Sequence, residues 1–282
     1  MENILITGAT GTVGSAILDH LQPQSEQCVY RSTRDLNRAG SDELYFDLNH
    51  LADTIARFSL VDTLFLLRPP QIADDKIFKT LIRGAREFGV KHIIFLSVQG
   101  AESSSFLPHT KIERIIRESG IPYTFIRPGY FMQNLINQFG QDIRKHDQIF
   151  VPAGDSKFLW IDASDIGKAI AAVLQDVRKH QNQAYTITGS AAEMLGFAEV
   201  ARLLTQTLGR EIRYVDPNLV QFATTKKKEG VSVPFIAVMI FLHYAERFRK
   251  PPEIDGAFRY LTGDDPNSLA NFVGQHTEAW KK

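Results

Sequence analysis

The sequence predicts an α/β fold: a doubly wound parallel sheet with helices on both faces, followed by a smaller, mostly helical C-terminal lobe. Three observations lead there. Short, nearly continuous apolar runs alternate with helix-period segments from the first residues onward, as strands buried on both faces do. A glycine-rich turn separates the first apolar run from the first helical pattern. Beyond about residue 190, helical periodicity takes over.

Asn3–Thr7 reads as the first strand and Val13–Leu21 as the first helix. Gln27–Arg31, Leu44–Phe46, Thr63–Leu67, His92–Ser97 and Tyr123–Arg127 follow as strands two to six, with helices at Lys76–Phe88 and Lys111–Ser119. Right-handed crossovers through those helices make the sheet parallel. Past Arg127 the rhythm changes. Ile149–Val151 and Phe158–Ile161 flank Gly154-Asp155, which suggests a hairpin-like excursion, and Asp165–Leu174 and Tyr185–Thr188 supply one more helix and strand. Phe197–Leu208, Leu219–Lys228, Pro234–Phe248 and Leu269–Gln275 read as helices, the last capped by Asn267 or Ser268. The expected organisation is a dinucleotide-binding domain over residues 1–150, with sheet strands returning at about 184–188. A smaller substrate lobe over 190–282 follows without a sharp boundary.

Composition narrows the function classes. The 282 residues can bury a large core, and 44% hydrophobic with 23% charged residues is ordinary for a globular protein. Lys+Arg and Asp+Glu both number 32, so no long-range field gathers nucleic acid or anionic lipid, and neither is expected as a partner. The lone Cys28, in a strand expected to be buried, acts as a small apolar group and fits a reducing compartment. No signal-peptide pattern opens the chain, and the apolar stretch Phe235–Leu242 is too short to span a bilayer, so a cytoplasmic location is expected. That stretch reads as a buried or pocket-lining helix. The eight histidines form no His-x-His or His-Glu-x-x-His cluster, so no metal site is expected. A Gly-x-Ser-x-Gly elbow and a Gly-Lys-Ser/Thr loop ending are both missing. Lys226-Lys227-Lys228 reads as a solvated helix end, with phosphate or partner contact as the alternative.

The strongest motif is Gly8-Ala9-Thr10-Gly11-Thr12-Val13-Gly14. Gly8 permits a tight exit from the strand, Gly11 lets backbone N–H groups approach an anion, and Gly14 lets the helix pack close to the sheet. The helix N-terminus then offers unpaired donors to a pyrophosphate. The bland alternative is a strand–loop–helix junction of small residues without a ligand. This spacing resembles that of extended and atypical short-chain dehydrogenase/reductase proteins. Phe95-Leu96-Ser97, Arg127-Pro128-Gly129-Tyr130-Phe131-Met132-Gln133-Asn134, Ile161-Asp162-Ala163-Ser164-Asp165-Ile166-Gly167 and Leu208-Gly209-Arg210-Glu211-Ile212 are similar to the NmrA-like branch. The resemblance implies a Rossmann-type NAD(P)-binding domain with substrate held between it and the smaller lobe. Members that the chain resembles include NADPH-dependent quinone reductases, triphenylmethane-dye reductases and redox-sensing regulators that bind the cofactor without turning it over.

An NAD-binding fold usually ends its second strand with Asp or Glu. Here Arg31 stands there with Arg34 three residues on, and guanidinium matches a 2′-phosphate. NADP(H) is therefore preferred, while Asp35 leaves room for NAD(H). The resemblance further implies cofactor contacts from Asp47, Leu67, Arg68, Ser97, Lys111, Pro128, Gly129, Tyr130 and Phe131. Asp47 reads equally well as a helix cap, and Arg68 as a phosphate contact or an outward-pointing charge. The superfamily's catalytic pair is Tyr-x-x-x-Lys. Lys111 occupies the lysine place, but Leu107 stands where the tyrosine belongs. Ordinary alcohol–ketone interconversion thereby loses a general acid worth about 10²–10⁴-fold.

Two classes of function remain. One is hydride transfer to a small conjugated acceptor such as a quinone, with proximity supplying much of the barrier lowering. The other is a non-catalytic NAD(P) sensor that binds a protein partner. Lys111 and His109 are the catalytic candidates. Lys111 reads otherwise as a solvated lysine paired with Glu113 or Glu118, and His109 as a surface or capping residue. Tyr130, Phe131, Asn134 and Phe235 are candidates for the acceptor pocket. Met132 is weighed between pocket and core, and for Phe235 and Phe241 core packing is the default. The sequence leaves monomer and homodimer open.

Overall fold

A computed structural model describes the chain except residues 1, 39–41, 73, 106, 249–253 and 255. From the N-terminus, β1 (Glu2–Ile6) leads to α1 (Thr12–His20), β2 (Gln27–Thr33), β3 (Glu43–Tyr45), α2 (Leu51–Ala56), β4 (Thr63–Leu67), α3 (Asp75–Glu87), β5 (His92–Leu96), α4 (Pro108–Ser119) and β6 (Tyr123–Pro128). Next come β7 (Tyr130–Phe131), α5 (Asn134–Asn137), α6 (Gly140–His146), β8 (Gln148–Phe150), β9 (Lys157–Ile161), α7 (Ala163–Gln175), β10 (Gln183–Ile187) and β11 (Met194–Gly196). The chain closes with α8 (Phe197–Leu208), β12 (Arg213–Val215), α9 (Leu219–Lys228), α10 (Val233–Tyr244), α11 (Ala257–Thr262) and α12 (Leu269–Gln275).

Contacts divide the chain into two compact units. The first comprises Met1–Gly129, Ala163–Ile187 and Gly256–Asp264; the second comprises Tyr130–Asp162, Thr188–Asp255 and Asp265–Lys282. The chain thus first changes units at Gly129–Tyr130 rather than near residue 150. The reason is that Met132, Leu135, Phe139 and Ile149 join the apolar core of the second unit.

The first unit is built on a seven-stranded parallel sheet in the order β10-β6-β5-β4-β1-β2-β3. Strand order reverses between β1 and β4, which makes the fold doubly wound and sets a crevice at the strands' C-terminal ends. Alternate residues feed opposite faces. Leu5, Leu64, Leu66, Ile93, Phe95 and Phe125 bury one face together with Phe78, Leu81 and Ile82 of α3 and Ile112 and Ile116 of α4. On α7, Gly167 brings that helix against α1: a Cβ there would meet the Ala16 carbonyl carbon at 2.4 Å. Both faces being covered explains why β1, β4 and β5 read as unbroken apolar runs.

The second unit contains two small sheets, β11-β9-β7 and β12-β8, and the helices around them. β8 and β9 do not pair as a hairpin. β8 runs parallel to β12, and β9 pairs antiparallel with β11 and parallel with β7. The sequence-based expectation did not include the short strands β11 and β12. The helices α2, α5, α6 and α11 were missed because each is shorter than two turns and shows no helical period. Trp160, Phe197, Phe222, Phe272 and Trp280 fill the core, and Trp280 Nε1 donates to the Leu135 carbonyl at 3.2 Å. Ser268 rather than Asn267 caps α12, accepting from the Asn271 N–H at 3.1 Å. In the first unit Cys28 is half-buried rather than buried, because the face of β2 that carries it is only partly covered.

Candidate functional site

The glycine turn has the geometry of an anion cradle. Gly8 takes φ +62°, a left-handed conformation that favours glycine, and its carbonyl accepts from the Gly11 N–H at 2.8 Å. A Cβ at Gly14 would fall 2.1 Å from the Gly8 oxygen, so only glycine lets α1 approach this closely. The Ser15 N–H closes onto the Gly11 carbonyl, whereas those of Thr12, Val13 and Gly14 precede the helical ladder. No side chain caps α1, and Thr10, Gly11 and Thr12 are exposed. Donors left open at a helix N-terminus fit a pyrophosphate. Leu67 stands against the cradle: a Cβ on Gly8 would meet its Cδ2 at 2.6 Å.

At the end of β2 the structure changes one expectation. The strand runs on to Thr33, so Arg34 is the first residue beyond it, while Arg31 lies inside the ladder abreast of Ile6. The extension arises because β3 continues to pair with Ser32 and Thr33. Arg31 has an exposed guanidinium 4.0 Å from Asp42, and Arg34 is exposed. Asp35 is engaged locally, its carboxylate accepting from the Asn37 N–H at 2.9 Å. Asp47 accepts from the Asn49 N–H at 2.9 Å and lies 3.2 Å from His50 Nδ1, so it caps the turn that enters α2. Burial raises its pKa, but the hydrogen bonds from Asn49 and His50 outweigh that and hold it below the usual range.

The ends of β4, β5 and β6 carry a buried polar network. Glu113 on α4 is fully buried and accepts from Ser97 Oγ at 2.6 Å, Arg127 Nε at 2.9 Å, Arg127 Nη2 at 2.7 Å and Arg117 Nη2 at 2.8 Å. Burial pushes its pKa up, and the bonds and charges of Arg127, Ser97 and Arg117 more than reverse that. Glu102 adds a second carboxylate 3.3 Å from Arg127. Glu113 is therefore no surface partner for Lys111, which is exposed. His109, on the first turn of α4, is no surface or capping residue either. Its ring lies 6.1 Å from that of Phe95, and burial, with the Arg68 charge, drives its pKa to about 4. Leu107, in the tyrosine place, is a buried N-cap with no side-chain hydrogen bond. Arg68 ends β4 half-buried. Pro128 is buried at the end of β6, and Gly129 donates to the Ile187 carbonyl at 2.9 Å.

Within the second unit, Tyr130 forms the centre of an aromatic cluster. Its ring centroid lies 4.8 Å from that of Phe158, 4.7 Å from Trp160 and 6.1 Å from Phe197. His243 Nδ1 lies 2.6 Å from the Met239 carbonyl and therefore donates to it, which leaves Nε2 to accept from Tyr130 OH at 2.7 Å. Burial raises the Tyr130 pKa and lowers that of His243 to about 4, so both are neutral. Asn134 also hydrogen-bonds Tyr130 and accepts from Gln138 at 2.9 Å. Met132 is core. Phe131 is half-buried, and Phe235 and Phe241 are 41% and 45% exposed, so the last two are not core, because α10 buries Ile236, Met239 and His243 instead. Lys226 is likewise not solvated: it is 3% exposed and bonded to Asp142 at 2.6 Å and Glu229 at 2.9 Å. Lys227 and Lys228 are exposed.

Residues 1–255 match the model of the NmrA-like family. The chain belongs to that family. The NAD(P)H azoreductase of Xenophilus azovorans is 35% identical over 289 residues, covering 98% of this chain and 99% of that protein. Among solved structures, the Escherichia coli NADPH-dependent quinone oxidoreductase in complex with NADPH matches with a TM-score of 0.85 at 22% identity, covering 96% of this chain and 99% of that one. Citrobacter sp. triphenylmethane reductase complexed with NADP(H) matches with a TM-score of 0.83 at 22% identity, covering 98% and 99%.

In this NmrA-like chain the structure gathers Gly8, Thr10–Gly14, Arg31, Arg34, Leu67, Arg68, Ser97, His109, Pro128 and Gly129 in the first unit. Tyr130, Phe131, Asn134 and Phe235 belong to the second. Sequence reasoning missed Glu113, Arg127 and His243. A Glu at i+4 before Arg117 looks like an ordinary surface pair, and only the fold shows it buried. Among the described residues no cluster of three metal-ligating side chains exists, and no helix is long and apolar enough to cross a membrane.

Proposed function

We propose that this NmrA-like chain is an NAD(P)H-dependent reductase that prefers NADP(H) and passes hydride to a small, flat, conjugated acceptor such as a quinone or an aromatic dye. End-to-end similarity to an NAD(P)H azoreductase supports the class of activity. One observation carries the choice of acceptor. At the edge where the superfamily keeps its proton-donating tyrosine, the chain has buried Leu107; the Thr110 hydroxyl nearby donates to the Ala101 and Ser104 carbonyls, and the Ser97 hydroxyl donates to Glu113 at 2.6 Å. A simple ketone needs a proton at oxygen as hydride arrives; a conjugated acceptor spreads the incoming charge over many atoms.

The residues divide the work. The N–H groups of Thr12, Val13 and Gly14 hold the pyrophosphate, and Leu67 backs the turn. Arg34, just past β2, and Arg31 beside it meet the 2′-phosphate, since Asp35 is engaged with Asn37 and opposes neither. When bound, the dinucleotide supplies the hydride. Lys111, exposed on α4, reaches the nicotinamide ribose. Glu113 and Arg127 fix Ser97 beneath it, and Pro128 and Gly129 line the turn that follows β6. Tyr130, Phe131, Asn134 and Phe235 form the acceptor-binding surface of the second unit.

Steady-state oxidation of NADPH with quinones, azo dyes and triphenylmethane dyes tests this, with simple ketones as controls. Turnover is expected with the conjugated acceptors and not with the ketones. Tight NADPH binding without turnover of any acceptor would instead support a redox-sensing regulator.

A further inference from the structure

The missing tyrosine leaves a question that the proposed hydride transfer does not answer: what holds the negative charge on the acceptor after hydride arrives. Residues at the ends of β4 and β5 answer it. Leu64 and Leu66 of β4 and Ile93 and Phe95 of β5 bury the same sheet face, so period-two alternation continues that face to Arg68 and Ser97. The register Leu67↔Leu96 sets those two residues abreast. α4 covers this face, and its first turn brings the His109 ring to Phe95 while Glu113, one turn on, bonds Ser97. Arg68, Ser97, His109 and Glu113 therefore share one corner of the first unit.

The four differ in what they leave unsatisfied. Glu113 is neutralised by Arg127 and Arg117, and Ser97 is committed to Glu113. Arg68 is half-buried, and no carboxylate, carbonyl or hydroxyl among the described residues bonds its guanidinium. A partly desolvated cation without a counter-charge is costly, and its five fixed donors suit a planar anion. Its field reaches His109, whose pKa falls chiefly through burial and further through the Arg68 charge. His109 is therefore neutral and adds no second cation.

We propose that Arg68 is a catalytic residue that takes over the charge-stabilising part of the missing tyrosine's role, with neutral His109 as a second donor beside it. This rests on the hydride-transfer reading above. Hydride adds one proton and two electrons to the acceptor and leaves one negative charge on a conjugated oxygen or nitrogen. Arg68 holds that charge, keeping its own protons, until a proton from solvent neutralises it and the doubly reduced product leaves.

The test uses Arg68→Ala and Arg68→Lys with three readouts. The first needs no turnover: 4-nitrophenol, a product-like phenol, is titrated on the NADP⁺-loaded protein by its visible absorbance. Beside Arg68 its pKa is expected to fall about 1–3 below that in water, an effect lost in Arg68→Ala and partly kept in Arg68→Lys. The second is kcat with a quinone, expected to fall about 10²–10³-fold in Arg68→Ala. The third is the NADPH dissociation constant, expected to stay within about twofold. Nitrophenol that fails to bind, or that binds with its aqueous pKa, overturns the proposal. So does a tenfold loss of NADPH affinity with kcat preserved, which would make Arg68 a phosphate ligand. If no acceptor turns over yet the Arg68-dependent nitrophenolate effect is present, the hydride-transfer reading falls and the anion subsite stands.

Discussion

Replacing Glu113 by Gln removes one charge from the most heavily bonded side chain of the first unit, and the cost follows from its partners. The Gln oxygen can keep the Oε1 contacts, to Ser97 and Arg127 Nε. Its amide then points donors at Arg127 Nη2 and Arg117 Nη2, which stood 2.7 and 2.8 Å from a carboxylate oxygen. Two charge-assisted bonds are lost, and Arg127, with a side chain 9% exposed, keeps as counter-charge half-exposed Glu102 at 3.3 Å. An uncompensated buried charge costs about 3–5 kcal/mol. Glu102→Gln removes only the exposed partner and should cost less than about 1 kcal/mol. Both tryptophans lie in the second unit, so far-UV circular dichroism during urea unfolding is the better probe. Acid gives an independent check. The Glu113 pKa is lowered in the folded state, so its stabilisation is full above the unfolded value of about 4.3 and is lost as pH falls through the folded value. The gap between wild type and Glu113→Gln must therefore narrow below about pH 4. A cost under about 1 kcal/mol, or a gap that does not change with pH, would refute the reasoning.

Other variants read other parts of the molecule. Gly14→Ala forces a Cβ to 2.1 Å from the Gly8 oxygen and should lose both stability, by about 1–3 kcal/mol or more, and NADPH binding, followed by urea midpoint and fluorescence titration. Gly11→Ala, whose nearest contact would be 3.2 Å, should be much milder in stability. Arg34→Ala should weaken NADPH binding by about tenfold or more and leave NADH nearly unchanged, with Arg31→Ala showing the smaller effect; an unaltered NADPH-to-NADH affinity ratio in both variants would refute the 2′-phosphate assignment. Lys226→Met strands the Asp142 carboxylate, 2% exposed, at a cost of about 3–5 kcal/mol in urea unfolding, and adding Asp142→Leu should restore most of it.

The fold of the first unit was legible because each of its long strands is buried on both faces and so writes itself as an apolar run. Its glycine turn was legible because a strand exit at positive φ and a close helix each demand glycine at fixed spacing. The misreadings have physical causes. Ser32 and Thr33 are polar, so the apolar run stops at Arg31, yet β3 pairs with both and carries the ladder on to Thr33. Phe158–Ile161 was joined to Ile149–Val151 because neighbours in sequence usually pair, whereas here each finds a partner more than thirty residues away. Glu113 and Lys226 are charged, and sequence patterns place charges at the surface. Only the approach of Arg127 from β6, or of Asp142 from α6, makes their burial tolerable.

The position of the polar residues follows from the sheet itself. Nearly all side chains of β4, β5 and β6 are buried, and most of the polar residues assigned to the site stand at or just past the strand ends. Arg34, Arg68, Ser97 and Gly129 are each the first residue or two beyond a strand, and Gly8 opens the same way after β1. Such residues touch the core on one side only, so exchanging one alters the chemistry of the edge at little cost to the fold. Arg68 is a residue of this kind, and Leu107 stands at the N-cap of α4. In the proposed reaction Leu107 removes a proton donor and Arg68 supplies a fixed positive charge, which would favour acceptors that can carry charge over acceptors that must be protonated. Under this logic Arg68→Ser should leave the urea midpoint nearly unmoved while turnover of conjugated acceptors drops. An unfolded Arg68→Ser protein would show that Arg68 is held by the core after all.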